Sequence, residues 1–250
     1  MQISKIKGSL ADTDHVNSAL LQIDSVSKDF GYRQVLNKIN LSIFRGELTL
    51  LLGKNGAGKS TLLKIISGLI RPSAGKITYQ GDDISKDPDQ HRKAIGVISH
   101  DLQFYAELTA RENLVFYAKL GKAIYTAENI DLVLDQTGLL PFADIPVKTF
   151  SSGMGKRLNI ARLKILKPEI LLLDEPYTGL DYDSTDFFGK YLGQFKEEGG
   201  SVLMISHQIE TCYDLCDRIA ILEQGTIESH LQADQYACAD LVETYQKLTR

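Results

Sequence analysis

Hydrophobic and polar residues alternate along two early stretches of the chain, residues 20–30 and 35–44, and both are rich in β-branched residues. A period of two is typical of strands with one buried face, so these stretches predict a pair of antiparallel strands. Later runs are almost continuously apolar, which predicts parallel strands covered on both faces; they are residues 48–52, 95–99, 170–173 and 202–205. The pattern therefore predicts a mainly parallel sheet and a separate antiparallel unit.

Helical patterns occupy the intervals between these runs. Residues 61–66 are helix-like, and Asp87 followed by Pro88 predicts a helix N-terminus. Residues 100–113 are polar and predict turns, and a mostly helical region follows to about residue 140. Residues 234–247 predict one terminal helix. We therefore expect an α/β fold in which a helical subdomain, at about residues 100–165, is inserted.

Composition limits the class of protein. The 250 residues are 43% hydrophobic, which is enough for one sizeable core. The formal net charge of −4 argues against a chain that coats nucleic acid, so we expect no direct nucleic-acid partner. No apolar run approaches the roughly 20 residues that span a bilayer. Residues 1–10 lack the long apolar segment of a signal peptide, so a soluble, cytoplasmic chain is expected.

The cysteines do not form a recognisable metal or disulfide pattern. Cys212, Cys216 and Cys238 contain no CxxC pair, which argues against both a zinc site and a disulfide framework. Cys212 and Cys216 lie four residues apart on a predicted helix. We interpret them as core thiols in preference to a redox pair.

The segment between the apolar run 48–52 and the helix-like residues 61–66 has the pattern G-x-x-x-x-G-K-S. Its glycines let successive backbone N–H groups turn toward a phosphate chain, and the helix N-terminus adds partial positive charge. Lys59 should reach the β- and γ-phosphates, and the Ser60 hydroxyl should bind Mg²⁺. We expect ATP and Mg²⁺ here, with nucleotide contacts from Gly53, Asn55, Gly56, Ala57, Gly58, Lys59, Ser60 and Thr61.

Two carboxylates, Asp174 and Glu175, follow the apolar run 170–173. In open α/β sheets ligands bind at the carboxyl ends of the strands. Adjacent residues on a strand point to opposite sides, so the two side chains can serve different partners. Asp174 suits a Mg²⁺ contact, and Glu175 suits polarising the water that attacks the γ-phosphate.

The order of the motifs resembles the ATP-binding subunits of ABC transporters, over about residues 20–228. After the phosphate loop come a Ser-x-Gly segment that opens a helix, a Leu-Leu-Leu-Asp-Glu-Pro strand end, a Gly-Leu-Asp segment and an apolar strand ending at a histidine; they include Ser151 to Gly153, Leu171 to Pro176, Gly179 to Asp181 and His207. The resemblance implies a phosphate-loop NTPase core, an antiparallel β subdomain and an inserted helical subdomain. Residues 1–19 are then an N-terminal extension, and residues 229–250 a short helical tail.

In that family two ATPase subunits meet head to tail. The resemblance implies that Ser151 and the Gly153 backbone of one copy complete the γ-phosphate site of the other, with Asp181 at the dimer seam or as a helix cap. The segment departs from the usual L-S-G-G-Q at Phe150, Ser152 and Met154. The second copy is therefore an expected partner, with a partner preference that these departures leave open.

Further family positions carry an aromatic residue and two histidines. Phe30 falls where an aromatic side chain stacks on adenine, with Tyr32 as the reserve and a strand-core role as the alternative for Phe30. His207 resembles the histidine that contacts the γ-phosphate and helps to orient Glu175 and water. His100 stands where the family usually has glutamine; we expect it to act near the attacking water, beside Glu175 and His207.

A histidine at position 100 is also similar to the ATPase subunits of heme exporters in cytochrome c maturation, as is the run of residues 112–118. Related exporter ATPases for lipids, drugs and polysaccharides share much of this region. The resemblance therefore favours export over import, with heme as one candidate cargo.

Two classes of function fit these motifs. The first is an ATPase that drives a separate membrane permease and lies peripherally at the inner face of the cell membrane. The second is a soluble ABC-type ATPase of translation or repair. Such proteins carry two ATPase units or a long coiled coil before the Ser-x-Gly segment, whereas this chain shows no sustained heptads there. A small-molecule phosphotransferase leaves Ser151 to Met154 and His207 unexplained, so we favour the transporter subunit.

Overall fold

The computed structural model describes residues 19–99, 104–207 and 209–248. Its strands are β1 (Leu21–Phe30), β2 (Arg33–Ile43), β3 (Leu48–Leu52), β4 (Ala74–Tyr79), β5 (Asp82–Asp83), β6 (Ile95–Ile98), β7 (Ile170–Asp174), β8 (Ser201–Ile205), β9 (Arg218–Glu223) and β10 (Thr226–Gln232). Its α-helices are α1 (Lys59–Ile66), α2 (Pro88–Ala94), α3 (Ala110–Leu120), α4 (Ala127–Gln136), α5 (Ser152–Leu166), α6 (Tyr182–Glu197), α7 (Ile209–Cys212) and α8 (Cys238–Leu248).

The larger sheet has six strands in the order β10-β9-β3-β8-β7-β6. All its neighbouring pairs are parallel except β9 and β10, which confirms the predicted mainly parallel sheet. Strand β8 lies between β3 and β7, and Asp174 is in register with Ile205. The carboxyl ends of β3, β7 and β8 therefore meet at one edge, where the chain continues into Gly53, Glu175 and Ser206.

Apolar residues fill both faces of this sheet. Every residue of β3 is buried; Leu51 packs into one core cluster, while Leu50 and Leu52 pack into the cluster on the opposite face. Alternate side chains of a strand point to opposite faces, so a continuous apolar run is what a doubly covered strand requires. Each buried leucine contributes about 1.5–3 kcal/mol through the hydrophobic effect. The phosphate-binding segment thus leaves from a rigid strand.

The smaller sheet is antiparallel, in the order β2-β1-β4-β5, and confirms the predicted antiparallel unit. Its β4 end is tied to the start of β7, because the Tyr79 hydroxyl donates to the Glu169 carboxylate over 2.7 Å. Arg45 forms an ion pair with the same carboxylate at 3.0 Å. The two sheets are therefore joined at the edge opposite the carboxyl ends of β3, β7 and β8.

Helices α3, α4 and α5 form the inserted helical subdomain around a third core cluster, which includes Leu114, Leu134 and Leu158. The prediction of turns as far as residue 113 was wrong for its last four residues, since α3 begins at Ala110. Thr109 caps this helix in a capping box with Glu112. The T-x-x-E spacing that marks such a helix start was present in the sequence.

The carboxyl-terminal part also differs from its prediction. Strand β10 runs across residue 228, where we expected the domain to end, and α8 begins only at Cys238, after a short 3₁₀ turn at Ala233–Gln235. Cys212 and Cys216 do not share a helix, because α7 ends at Cys212 and a 3₁₀ turn follows. Burial raises the pKa of the Cys212 thiol to about 11, in keeping with a core thiol. Within the described ranges, no helix is long and apolar enough to cross a membrane.

We expect one buried histidine, His91 of α2, to make the fold sensitive to acid. It is 2% exposed, and its Nε2 lies 2.6 Å from the Ile66 carbonyl oxygen. Burial lowers its pKa below 6.5, although the Ile66 contact opposes this. The unfolded chain therefore binds the proton first, so the stability is full above pH 6.5 and falls as the pH drops below it.

The measurement is urea unfolding of the wild type and His91→Gln, which keeps a donor for the Ile66 carbonyl. Between about pH 7.5 and about pH 5.5 the free energy of unfolding of the wild type should fall by up to about 1.4 kcal/mol more than that of the variant. This is the difference expected when one histidine titrates in the unfolded chain but not in the fold. Equal losses in the two proteins would show that His91 titrates normally in the fold.

Candidate nucleotide site

The residues after β3 form a compact loop that ends at the N-terminus of α1. Gly58 is the N-cap of α1, with φ 110° and ψ 3°, a left-handed backbone that favours glycine. A Cβ at this position would lie 2.6 Å from the Leu36 side chain and 3.1 Å from the Val35 carbonyl oxygen. Position 58 therefore requires glycine, because its backbone is left-handed and there is no room for a side chain. The N–H groups at the start of α1 are then available to bind an anion.

Lys59 is held inside this loop. It is 8% exposed, and its Nζ donates to the carbonyl oxygens of Gly53 and Lys54 at 2.6 and 3.0 Å. Burial lowers the pKa of the ammonium group, while the charges of Glu175 and Asp174 oppose that shift. The loop thus keeps a cation close to two carboxylates and fixed by its own backbone.

Ser60 and Asp174 bring two oxygen ligands together. The Ser60 hydroxyl donates to Asp174 Oδ2 over 3.1 Å, although the residues come from α1 and the end of β7. A hydroxyl and a carboxylate are the hard oxygen donors that Mg²⁺ prefers, and this ion usually keeps several waters and phosphate oxygens as further ligands. A hydroxyl and a single carboxylate therefore suit a Mg²⁺ ion that takes its remaining ligands from a nucleotide and from water.

Glu175 lies directly beyond β7 in an unusual backbone conformation. Its φ is 49°, the left-handed region that costs a residue with a Cβ about 1–2 kcal/mol. Its N–H donates to the Ile205 carbonyl oxygen over 2.9 Å. The predicted alternation of Asp174 and Glu175 along a strand was wrong, because the strand ends at Asp174; the turn at Glu175 directs its carboxylate.

The Glu175 carboxylate faces His207, which follows β8. The His207 N–H donates to Glu175 Oε2 over 3.3 Å. Its Nε2 lies 3.2 Å from Oε1, within ion-pair distance, but Oε1 has no hydrogen-bond partner, so the angle is unsuitable for that bond. The histidine is half-exposed and the carboxylate more buried. The order of the motifs in the sequence predicted that His207 acts on Glu175, and the structure places the two side chains in contact.

The three residues expected at a dimer seam lie at two other helix starts. Ser151 is the N-cap of α5, with its exposed hydroxyl accepting from the Met154 N–H, and Asp181 is the N-cap of α6, accepting from the Ser184 N–H over 2.8 Å. A Cβ at Gly153 would lie 2.7 Å from the Ser184 hydroxyl, so glycine allows α5 and α6 to approach. Among the described residues, Ser151, Gly153 and Asp181 form no hydrogen bond with the phosphate loop.

The remaining predicted residues have separate positions. Phe30 ends β1 and is 52% exposed, with the Lys28 ammonium 5.1 Å from its ring centroid; the strand-core interpretation was therefore wrong. Tyr32 is fully exposed. His100 lies outside the described residues. The sequence pattern did not predict that Tyr245 of α8 packs against the core cluster that contains Leu50 and Leu52 of β3.

Comparison with known proteins agrees with this geometry. The family model described as ABC transporter matches residues 36–178. The linearmycin resistance ATP-binding protein LnrL of Bacillus subtilis is 38% identical over 211 residues, which cover 82% of this chain and 67% of that protein. The lantibiotic transport ATP-binding protein SrtF of Streptococcus pyogenes is 35% identical over 209 residues, covering 83% and 89% of the two chains.

The Nod factor export ATP-binding protein I of Sinorhizobium fredii is 34% identical over 232 residues, covering 90% of this chain and 67% of that protein. A solved structure of an ATP-binding subunit of an ABC transporter superposes with a TM-score of 0.83 at 27% identity, covering 91% of this chain and 99% of that one. The chain therefore belongs to the ABC transporter ATP-binding family, whose members hydrolyse ATP to power transport.

Proposed function

We propose that this chain is the ATP-hydrolysing subunit of an exporter and drives a separate membrane permease from the inner face of the cell membrane. The observation that carries the ATP chemistry is the meeting of three pairs at one sheet edge: Lys59 with the loop carbonyls, Ser60 with Asp174, and Glu175 with His207. The relatives named for linearmycin resistance, lantibiotic transport and Nod factor export support the exporter assignment.

Each residue has a distinct proposed role. The loop N–H groups and Lys59 bind the phosphate chain of ATP, and Ser60 and Asp174 hold Mg²⁺, which neutralises phosphate charge when bound. Glu175 accepts a proton from the attacking water, and its buried Oε1, which has no hydrogen-bond partner, is available for that bond. His207 lies against the same carboxylate and orients it toward the γ-phosphate.

A second copy completes the site. We infer a head-to-tail dimer in which Ser151 and the Gly153 backbone bind the γ-phosphate held by the partner copy, with Asp181 at the seam. The exposed N-terminus of α5 supports this role, because a serine hydroxyl and free helix N–H groups attract an anion. Phe30 is proposed to stack on adenine, for which its half-exposed ring is suited.

In this proposal the permease, and not this chain, selects the cargo. The similarity to heme exporters depended on His100 and residues 112–118. The relatives reported above are instead named for linearmycin, a lantibiotic and Nod factor. We therefore propose export in general and leave heme as the narrower alternative.

The test is purification of the tagged chain from membranes of its own host. We expect a membrane-spanning protein to co-purify and to raise the ATPase rate severalfold when both are reconstituted in vesicles. Lys59→Ala is the matched control, because it should retain the membrane partner and lose the stimulation. Recovery with ribosomes or DNA, and none with a membrane protein, would contradict the proposal and favour a soluble ATPase of translation or repair.

A further inference from the structure

The N-termini of helices α5 and α6 lie side by side and carry the residues proposed for the dimer seam. Ser151 caps α5 and Asp181 caps α6. The first turns of the two helices are in close contact, since a Cβ at Gly153 would lie 2.7 Å from the Ser184 hydroxyl. A second copy that binds across both N-termini therefore requires α5 and α6 to keep one relative position.

Arg157, in the second turn of α5, contacts α6 through its guanidinium group. Its Cζ lies over the ring of Phe187, 4.6 Å from the ring centroid. A guanidinium at this distance is attracted by the negative face of the ring. Both side chains are partly buried, so water screens this attraction only in part. Phe187 itself packs against the core cluster that contains Leu50 and Leu52, so the contact fixes α5 to the core.

The same guanidinium group also contacts the helical subdomain. Its Nη1 donates to the carbonyl oxygen of Thr137, the C-cap of α4, over 3.3 Å. Carbonyl groups at the end of a helix carry partial negative charge, which favours a cation. Gly138 follows with φ 69°, and a Cβ there would lie 3.1 Å from Arg157 Nη1. Glycine at this position both ends α4 and leaves space for the arginine.

Arg157 therefore joins α4, α5 and α6 through one planar group. A guanidinium is rigid, and its face and its N–H donors have fixed directions. The hydrogen bond to Thr137 and the contact with Phe187 are made together only while α5 keeps its present rotation and height between its two neighbours. Ser151 lies at the start of the same helix, so these contacts also set its position relative to Asp181.

We propose that Arg157 is a positioning residue that holds the N-termini of α5 and α6 in the relative position that binds the second copy. The inference rests on the proposed head-to-tail dimer. Both contacts of Arg157 described above are with helices outside the phosphate loop. Binding of ATP to a single copy should therefore not depend on this arginine, whereas formation of the dimer should.

The test uses the full chain in the Glu175→Gln background with saturating ATP. Arg157→Met keeps an unbranched side chain and removes the charge and the donors. Sedimentation should show the dimer dissociation constant raised about 3-fold to 30-fold, as expected for the loss of one cation–π contact and one hydrogen bond. The Kd for ATP, measured on the monomer at low protein concentration, should change less than about 2-fold.

Lys164→Met is the matched control. Lys164 is also a cation of α5 that lies over a ring of α6, with its Nζ 5.9 Å from the Tyr191 centroid. It is about two turns further from the helix N-terminus. Its removal should leave the dimer dissociation constant within about 2-fold of the parent value, since the N-termini are still held by Arg157.

A double-mutant cycle shows whether Arg157 acts through the ring. Phe187→Leu removes the ring and keeps an apolar side chain on the core. Adding Arg157→Met to it should weaken the dimer less than Arg157→Met does alone. Parental dimerisation in Arg157→Met, additive losses in the cycle, or an equal loss in Lys164→Met would overturn the inference. A Glu175→Gln parent that stays monomeric would contradict the proposed dimer itself, and the inference with it.

Discussion

Lys59→Ala should abolish ATP binding at micromolar nucleotide. The ammonium group lies in the loop with 8% exposure and a pKa that burial lowers, so water screens it poorly and its attraction for phosphate is strong. Removing one partner of a buried charge pair costs about 2–5 kcal/mol, or about 30-fold to several thousand-fold in affinity. The carbonyl oxygens of Gly53 and Lys54 also lose their donor. Titration calorimetry with ATP and Mg²⁺ measures the loss directly.

Lys54→Ala is the matched control for that experiment. It removes a lysine of the same loop, but the Lys54 side chain is exposed, so its charge is screened and its loss should change affinity only slightly. Equal affinities in wild type and Lys59→Ala, with both proteins folded, would mean that the loop is a structural turn. Thermal unfolding of the three proteins establishes that they are folded.

Glu175→Gln should retain ATP binding and slow hydrolysis by about 10²-fold or more, since a positioned general base commonly contributes about 10²–10⁴. The amide has the shape of the carboxylate and keeps an oxygen for the His207 N–H, which lies 3.3 Å from Glu175 Oε2. The loss should therefore fall on kcat, with little change in Kd. Single-turnover hydrolysis at saturating ATP measures the chemical step.

The same variant tests the second copy. If Ser151 and Gly153 bind the partner's γ-phosphate, ATP that is not hydrolysed should hold two chains together, and gel filtration with ATP should show a dimer. Glu210→Gln, on the exposed face of α7, changes the charge equally and should hydrolyse ATP at the wild-type rate. A Glu175→Gln protein that binds ATP and stays monomeric would contradict the head-to-tail site.

The sequence predicted four strands of the larger sheet, β3, β6, β7 and β8, from their apolar runs, but it did not predict β9, although Ile219 to Leu222 are also buried. Strands that are buried on both faces leave nearly continuous apolar runs, as at residues 48–52 and 170–173, and no tertiary information is needed to detect them. Strand β10 was also missed. It is an edge strand with a bulge between Ile227 and Ser229, which interrupts the alternation on which a strand prediction depends.

The candidate site also contains features that the sequence predicts and features that it does not. The phosphate loop could be predicted because its glycines and Lys59 are contiguous in sequence. The backbone turn at Glu175 could not, since a left-handed glutamate leaves no pattern in the residues around it. The packing of α8 against the core cluster around Leu50 joins distant parts of the chain. The apolar stripe of α8 predicts a buried face but does not identify what lies beneath it.

Because the backbone of Glu175 is left-handed, the residue that would make this turn most stable differs from the residue that ATP hydrolysis requires. Glycine would adopt φ 49° without the penalty of about 1–2 kcal/mol that a Cβ brings, so the most stable sequence for this turn lacks the proposed catalytic carboxylate. A selection for heat resistance alone would favour the substitution Glu175→Gly, which should fold well and hydrolyse nothing. A thermostable form of this ATPase that remains active must therefore gain its stability from substitutions at other positions, such as the core around Leu50 or the buried face of α8.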